Sequence, residues 1–509
     1  MISKIRSAAV LGLDAFEIEV ETHLERGLPG LSIVGLPDTA VKESKDRINA
    51  AIKNSAYDFP VKRIIINLAP ADIKKEGSSY DLPIAIAILT ASDQIENKNI
   101  NDYIFLGELA LDGVLRPIKG ALPIAILGEL KNYKGIILPK ENAYEAAVIG
   151  GVDILPAESL KQVVNFINGD EKIEPLKINI EDMFEEFNKW DIDFYEVKGQ
   201  YHVKRALEIA AAGGHNLIMI GPPGSGKSML SKRFATILPN MTLPEALETT
   251  KIYSVAGLLP HNKALMATRP FRSPHHSISD AALVGGGRIP KPGEISLAHH
   301  GVLFLDELPE FKKNVLEVMR QPLEDREVTI ARAASTLKFP ASFVMVAAMN
   351  PCPCGYYGDP SRDCTCGASK IKSYLSKISG PLLDRIDIHI EVPAVKYDEL
   401  AQKEDGEKSE DIRKRVIFAR EIQLKRYADL DIFSNASMNQ KHIKKYCQLD
   451  TASEKILKRA IESLSLSARA YNRILKVSRT IADLDGKTDI EITHVSEAIQ
   501  YRSLDRKYI

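Results

Sequence analysis

The strongest chemical signal in the sequence is a glycine-rich loop that ends in a lysine and a serine. It follows the apolar run 217–220 directly. Its residues are Gly221, Pro222, Pro223, Gly224, Ser225, Gly226, Lys227 and Ser228. Such a loop points backbone N–H groups and a helix N-terminus at phosphates, while the lysine supplies charge and the serine a magnesium ligand. The pattern therefore predicts a site for ATP or a related nucleoside triphosphate with Mg²⁺.

A second apolar run ends in two carboxylates. Residues 302–305 read Val-Leu-Phe-Leu, and Asp306 and Glu307 follow them. A short continuous apolar run is typical of a buried parallel strand, and α/β sheets place their chemistry at the carboxyl ends of such strands. Phosphoryl transfer depends on charge neutralisation and on an oriented nucleophile. We therefore expect Asp306 to bind the nucleotide's magnesium ion and Glu307 to polarise the attacking water.

Two further polar residues fit the same reaction. Asn350 ends a third apolar run, and we expect it to reach the γ-phosphate or the lytic water, although a turn-forming asparagine is the alternative. Arg385 is expected to stabilise transition-state charge in the site of a neighbouring subunit. An ion pair with Asp384 or Asp387 is the alternative for Arg385. The catalytic interpretation predicts an enzyme that works as a ring.

Several segments around these residues resemble one family in detail. They are 271–276, 285–287, 291–298 and 350–355. They are similar to magnesium-chelatase-like AAA+ ATPases of the YifB/ComM type, and the resemblance covers essentially the whole chain. It implies an α/β fold with a parallel sheet, an insertion in the second helix, a hexameric ring and a helical lid with a sensor arginine. Arg469 matches that sensor better than its rival Arg473.

The resemblance also implies a substrate. Proteins of the ComM type are associated with branch migration of DNA during integration of transforming strands, so a helicase-type motor on single-stranded or branched DNA is expected. Segment 327–339 is predicted to form a hairpin that carries Arg332 and Lys338 toward phosphates. Arg288 and Lys291 in the glycine loop are further candidates. The alternative function is a chelatase-type ATPase subunit that remodels a protein partner and ignores DNA.

The N-terminal part carries no nucleotide motif. Strand-like alternation interleaved with helical stretches predicts an α+β domain there. Three fragments, 74–79, 113–118 and 138–142, resemble the proteolytic domain of Lon-type proteases, in which a lysine activates a serine. Ser79 matches the serine, but Leu122 occupies the lysine position. The resemblance thus implies a Lon-like domain without peptidase activity. Proteolysis that uses a displaced Lys119 as the base is the alternative.

Four of the five cysteines lie close together in the sequence, at Cys352, Cys354, Cys364 and Cys366. Four thiolates form a closed tetrahedral shell for structural Zn²⁺, and a cytoplasmic chain does not favour structural disulfides. The spacing is Cys-x-Cys and not the usual Cys-x-x-Cys. Reduced thiols in a tight loop and redox chemistry therefore remain alternatives.

The length and net charge of the chain limit the number of domains and the kinds of partner that are expected. A chain of 509 residues is too long to fold around a single hydrophobic core, so several domains are expected. We predict a Lon-like domain at 1–168, a linker at 169–195, an AAA+ core with the insertion and cysteine loop at 196–393, and a lid at 394–509. A net charge of −1 leaves only local, sequence-independent contacts with DNA. No signal peptide or bilayer-length apolar run stands out, which predicts a cytoplasmic protein without a membrane partner.

Overall fold

The computed structural model describes residues 2–95, 100–180, 190–260, 263–287, 290–332, 335–360, 362–395, 406–430, 432–464 and 466–504. By their internal contacts these residues fall into two compact units. The first unit contains residues 1–187 together with 243–267, and the second contains 188–242 together with 268–509.

A mixed seven-stranded sheet forms the centre of the first unit. Its strands follow the order β3-β4-β2-β1-β5-β8-β9. Their bounds are β1 Ile2–Leu11, β2 Asp14–Glu25, β3 Gly30–Val34, β4 Arg63–Ala69, β5 Tyr103–Phe105, β8 Gly135–Pro139 and β9 Asp153–Ala157, and β6 Glu108–Leu109 pairs with β7 Leu115–Arg116 in a separate hairpin. β1 pairs antiparallel with β2 along the whole length of β1, whereas β5, β8 and β9 add in parallel.

Helices cover this sheet. They are α1 Thr39–Asn54, α2 Asp81–Ala91, α3 Ala121–Leu130, α4 Lys140–Ala147 and α5 Leu160–Asn168. The sequence of α2 is apolar on every side, and nearly all of its residues are buried. A helix of this kind belongs inside a core. Strands and helices are thus mixed within one unit, as predicted for an α+β domain.

The second unit is built on a parallel five-stranded sheet. The strand order is β11-β14-β17-β10-β18, and every neighbouring pair is parallel. The bounds are β10 Leu217–Ile220, β11 Phe271–Arg272, β14 Val302–Leu305, β17 Val344–Met349 and β18 Ile388–Glu391. β10 and β14 are fully buried, which explains their continuous apolar sequence. The carboxyl ends of all five strands therefore lie along one edge.

Two small hairpins accompany this sheet. β12 Gly285–Gly286 pairs with β13 Lys291–Pro292, and β15 Glu327–Arg332 pairs with β16 Ser335–Pro340. The first hairpin lies in the insertion between β11 and β14. The second confirms the hairpin predicted for segment 327–339.

The remaining helices follow in chain order. They are α6 Tyr201–Gly213, α7 Lys227–Phe234, α8 Leu243–Ala256, α9 Asp280–Val284, α10 Glu294–Leu297, α11 Lys313–Val318, α12 Arg320–Asp325, α13 Ala368–Leu375, α14 Gly380–Leu383, α15 Ser409–Arg426, α16 Gln440–Tyr446, α17 Thr451–Leu464, α18 Ala468–Leu484 and α19 Ile492–Gln500. Helices α15 to α19 share one core with α6 and β10. No helix among the described residues is both long and apolar enough to cross a bilayer.

Helix α8 belongs to the first unit, although the sequence analysis placed its segment within the ATPase core at 196–393. Lys251 forms an ion pair with Asp14 at 2.8 Å. The backbone N–H of Gly120 donates to the carbonyl oxygen of Ser254 at 3.2 Å. Local sequence could not reveal this arrangement, because it depends on contacts with residues more than a hundred positions earlier in the chain.

Candidate nucleotide-binding site

The glycine-rich loop connects β10 to α7, as its sequence predicted. Gly226 precedes the first helical residue and has φ = 88°, a left-handed conformation that favours glycine. The turn aligns the N-terminus of α7 with the edge of the sheet where β10 ends. A helix N-terminus with free N–H groups at this edge is a favourable position for phosphate.

Lys227 is buried, and its ammonium group is held by oxygen atoms of the loop itself. Nζ donates to the carbonyl oxygens of Gly221 and Pro222, both at 2.8 Å, and to Oδ1 of Asn350 at 3.3 Å. Burial lowers the pKa of Lys227, and the Asp306 carboxylate opposes this shift. The contact with Asn350 joins the end of β17 to the loop.

Ser228 and Asp306 provide a ligand set suited to magnesium. Oγ of Ser228 donates to Oδ2 of Asp306 at 2.7 Å. The other carboxylate oxygen of Asp306 accepts the backbone N–H of Glu307 at 3.0 Å. Magnesium prefers hydroxyl, carboxylate and phosphate oxygens. The two side chains therefore fit the Mg²⁺ that accompanies a nucleoside triphosphate.

Glu307 is exposed for 57% of its side chain and adopts φ = 52°. Its Oε2 lies 3.4 Å from Nδ1 of His276, and the His276 ring packs edge-on against Phe311. A left-handed non-glycine residue at a strand end is a form of strain that often marks functional sites. Sequence reasoning missed His276, because an adjacent histidine pair gives no signal for a partner thirty residues away.

Arg385 lies at the opposite end of the sheet from the loop. It is 5% exposed, donates to the carbonyl oxygen of Pro381 at 2.6 Å, and pairs with Glu324 of α12 at 2.5 Å. Its own carbonyl oxygen accepts from Nδ2 of Asn216, the residue before β10. The four residues of β10 separate that point from the loop by about 13 Å.

Both candidate sensor arginines lie on α18. Arg473 pairs with the buried Asp387 at 2.8 Å, and His215 lies 3.5 Å from the same carboxylate. Burial alone would raise the pKa of Asp387, but Arg473 and His215 outweigh it and hold that pKa well below its ordinary value. Arg469 is 55% exposed and lies 3.9 Å from Glu324. Arg469 is therefore the more accessible of the two, beside Arg385.

A cavity of ≈ 580 Å³ adjoins the loop. Its lining includes His202, Gly221, Pro222, Tyr357 and Val392. Gln200 fixes the nearby backbone, because its side-chain amide donates to the carbonyl oxygens of Ser225 at 2.9 Å and Pro393 at 3.3 Å. The cavity therefore lies beside the phosphate-binding turn and has walls from β10, β18 and the segment after β17.

The four clustered cysteines converge in space. The Sγ atoms of Cys352, Cys354 and Cys364 lie 3.3, 3.5 and 3.6 Å apart, and the sulfur of Cys366 lies within 4.8 Å of the others. All are free thiols. The backbone N–H of Tyr356 makes the largest contribution to lowering the pKa of Cys354, to about 5.

The candidate DNA contacts are only partly visible. Arg288 lies outside the described residues, and of Arg332 the structure describes the backbone at the end of β15. Lys338 on β16 is exposed and pairs with Glu327 at 2.7 Å. Lys291 begins β13 and is exposed.

The predicted lack of peptidase activity depends on three positions of the first unit. The side chain of Leu122 is buried, and its backbone N–H donates to Oε1 of Glu145 at 3.0 Å. Ser79 is half-buried, and Lys119 is exposed beside Gly257. An isobutyl group at position 122 cannot accept a proton.

The parallel sheet, the loop before α7 and the carboxylates after β14 are the arrangement of a P-loop nucleoside triphosphatase. Residues 193–400 match the family described as magnesium chelatase, subunit ChlI, residues 406–502 match its C-terminal part, and residues 20–142 match a further ChlI subunit family.

Full-length relatives narrow the assignment. Competence protein ComM of Haemophilus influenzae is 47% identical over 99% of this chain and 97% of its own length. The YifB protein of Escherichia coli is 45% identical over 100% of this chain and 98% of its own length. The magnesium-chelatase 38 kDa subunit of Rhodobacter capsulatus is 23% identical over 59% of this chain and 84% of its own length. The chain belongs to the magnesium-chelatase-like ComM/YifB family.

Proposed function

We propose that this protein is an ATP-hydrolysing AAA+ motor that works as a ring, expected to be a hexamer, and acts on DNA. The proposal depends on four side chains that meet at one edge of the parallel sheet. Nζ of Lys227 lies 3.3 Å from Oδ1 of Asn350, and Oγ of Ser228 lies 2.7 Å from Oδ2 of Asp306. The family implies ATP and Mg²⁺ as the ligands of this edge.

Each residue at that edge has a distinct task. Lys227 would exchange its carbonyl partners for phosphate oxygens. Ser228 and Asp306 would hold Mg²⁺, which would supply charge neutralisation on the phosphates. Glu307 lies next to Asp306 with its carboxylate exposed, which suits a base that orients water for attack. Asn350, already bound to Lys227, is placed to contact the γ-phosphate or that water. The backbone N–H groups of Gly224 and Gly226 would hold the phosphates, whereas Pro222 and Pro223 have no N–H and shape the turn.

Arg385 and Arg469 act on the site of the next subunit. Arg385 is separated from the loop of its own chain by the length of β10, so it cannot reach its own γ-phosphate. A closed ring brings the two sheet edges of neighbouring chains together. Arg469 approaches the same Glu324 carboxylate as Arg385, so the two arginines lie close together.

DNA is the proposed substrate because the relative from Haemophilus influenzae is a competence protein. The β15–β16 hairpin with Lys338 and the β12–β13 hairpin with Lys291 offer cations for phosphates. The first unit is proposed to be a Lon-like domain without peptidase activity, since Leu122 replaces the base. The family matches to magnesium chelatase favour a second function, remodelling of a protein partner.

ATP hydrolysis measured with and without DNA tests these alternatives. The purified chain is assayed with single-stranded and with branched DNA across a salt series. Stimulation that fades as salt rises supports the DNA motor, because phosphate contacts release counterions. Hydrolysis that no DNA changes favours the protein-remodelling function. No hydrolysis at all contradicts both.

A further inference from the structure

The loop between β17 and α13 brings four cysteine sulfurs into one small shell. A zinc ion bound at about 2.3 Å to four sulfurs in tetrahedral geometry sets the sulfurs about 3.8 Å apart. The Sγ atoms of Cys352, Cys354 and Cys364 are separated by 3.3, 3.5 and 3.6 Å, close to that spacing. A disulfide requires about 2.0 Å between sulfurs. The sulfurs therefore match a shell around one ion and not a covalent pair.

The surrounding backbone supports thiolate ligands. The sulfur of Cys354 accepts N–H groups from Tyr356 and Thr365, the sulfur of Cys366 accepts from Cys354, and the sulfur of Cys364 accepts from Cys366 at 3.4 Å. Groups that hydrogen-bond to metal ligands orient them and tune the metal. Each Cys-x-Cys turn thus supplies donors to the sulfurs, which compensates for the departure from Cys-x-x-Cys spacing.

The same loop packs on the phosphate-binding turn. It starts at Asn350, which contacts Lys227. Three residues beyond Cys352, Gly355 has φ = 88° and approaches Pro223 so closely that a Cβ at position 355 would collide with Cδ of the proline. Tyr357 lines the cavity beside the turn. Any ion that holds the cysteines also holds the wall of the nucleotide site.

We infer that Cys352, Cys354, Cys364 and Cys366 bind one structural zinc ion, and that this ion holds the loop against Pro223 and fixes Asn350 beside Lys227. A single ion fits better than an iron–sulfur cluster, in which the sulfurs bind different irons and stand farther apart. The ion takes no part in the chemistry, since all four of its ligand positions are filled by protein.

The metal content of the purified full chain tests whether the four cysteines bind zinc. Under reducing conditions without chelators, mass spectrometry of the metals should find about one zinc per chain. Cys364→Ser and Cys366→Ser should lose the zinc, whereas Cys447→Ala, at the buried cysteine outside the cluster, should keep it. Because a variant could misfold, the unaltered chain is also loaded with Co²⁺, whose visible spectrum reports tetrahedral thiolate ligation. Less than about 0.1 zinc per chain after incubation with Zn²⁺, or iron in place of zinc, overturns the assignment.

Nucleotide binding tests whether the ion supports the phosphate-binding turn, a claim that rests on the proposed ATP site. Cys366→Ser should weaken binding of a fluorescent ATP analogue about tenfold relative to Cys447→Ala, because the turn loses its support. Gly355→Ala should keep its zinc and weaken binding by a similar factor. Normal affinity in both variants overturns the coupling. If the unaltered chain binds no ATP analogue, the proposed function fails, while the zinc measurement still decides the metal site.

Discussion

The position of Arg385 leads to a prediction about mixed rings. Arg385→Ala alone should lower the rate of ATP hydrolysis about 10³-fold or more, as removal of an arginine that stabilises phosphoryl transfer does elsewhere. Glu324→Gln is the matched control, since it breaks the ion pair that holds Arg385 within the chain but leaves the guanidinium. Glu324→Gln should therefore keep most of the activity.

The activity expected when Arg385→Ala and Lys227→Ala chains are mixed follows from how the two groups meet between subunits. Arg385→Ala chains retain the phosphate-binding loop, and Lys227→Ala chains retain the arginine. If the arginine acts on the next subunit, an active interface needs the first variant on one side and the second on the other. Random equimolar assembly gives this arrangement at about one quarter of the interfaces of a ring. If the arginine acts within its own chain, no subunit of the mixture carries both groups.

The assay is ATP hydrolysis after the two inactive variants are mixed, dissociated and reassembled over a range of ratios. We expect activity to rise from near zero to about a quarter of the wild-type value at equal amounts. A subunit-exchange measurement with labelled chains is the control that mixed rings have formed. Activity that stays at the level of the single variants, in rings shown to be mixed, would refute the reasoning from the length of β10.

Four further predictions concern single residues. Glu307→Gln should bind an ATP analogue with unchanged affinity and hydrolyse ATP about 10²-fold or more slowly, and unchanged turnover would remove Glu307 as the base. His276→Asn should change the turnover rate more than nucleotide affinity, because Nδ1 of His276 lies 3.4 Å from the Glu307 carboxylate; equal effects on both would count against a positioning role. Arg473→Ala should lower the free energy of unfolding by about 3 kcal/mol at neutral pH, with Asp387 left partly unpaired, and by less in acid, where Asp387 becomes protonated. Arg469→Ala should leave stability within about 0.5 kcal/mol in the same denaturation assay and should lower hydrolysis, since its side chain is mostly exposed.

The nucleotide edge could be predicted from the sequence because each of its parts is local. An apolar strand followed by glycines, or by two carboxylates, specifies both the element and the position of the polar group at its end. The structure brings Ser228 to Asp306 and Lys227 to Asn350, as parallel strands with a common edge require.

Partners that are distant in the sequence could not be predicted in this way. The alternative interpretation of Arg385 was an ion pair with Asp384 or Asp387. In the structure Arg385 instead forms an ion pair with Glu324 on α12. Asp387 instead pairs with Arg473, which lies 86 residues further along the chain. Such pairings depend on how α12, α14 and α18 meet, and a charge pattern alone carries no information about that.

The membership of segment 243–267 in the first unit has a consequence for any attempt to divide the protein. The chain crosses between the units three times, after residues 187, 242 and 267. A fragment that ends at residue 187 lacks the helix that contacts Asp14 and Gly120, and a fragment that begins at residue 188 carries that helix without its neighbours. Neither unit is a continuous stretch of sequence. We therefore do not expect limited proteolysis to separate the protein into two stable halves. The solubility of a truncated chain should be measured before a loss of activity is attributed to a missing domain.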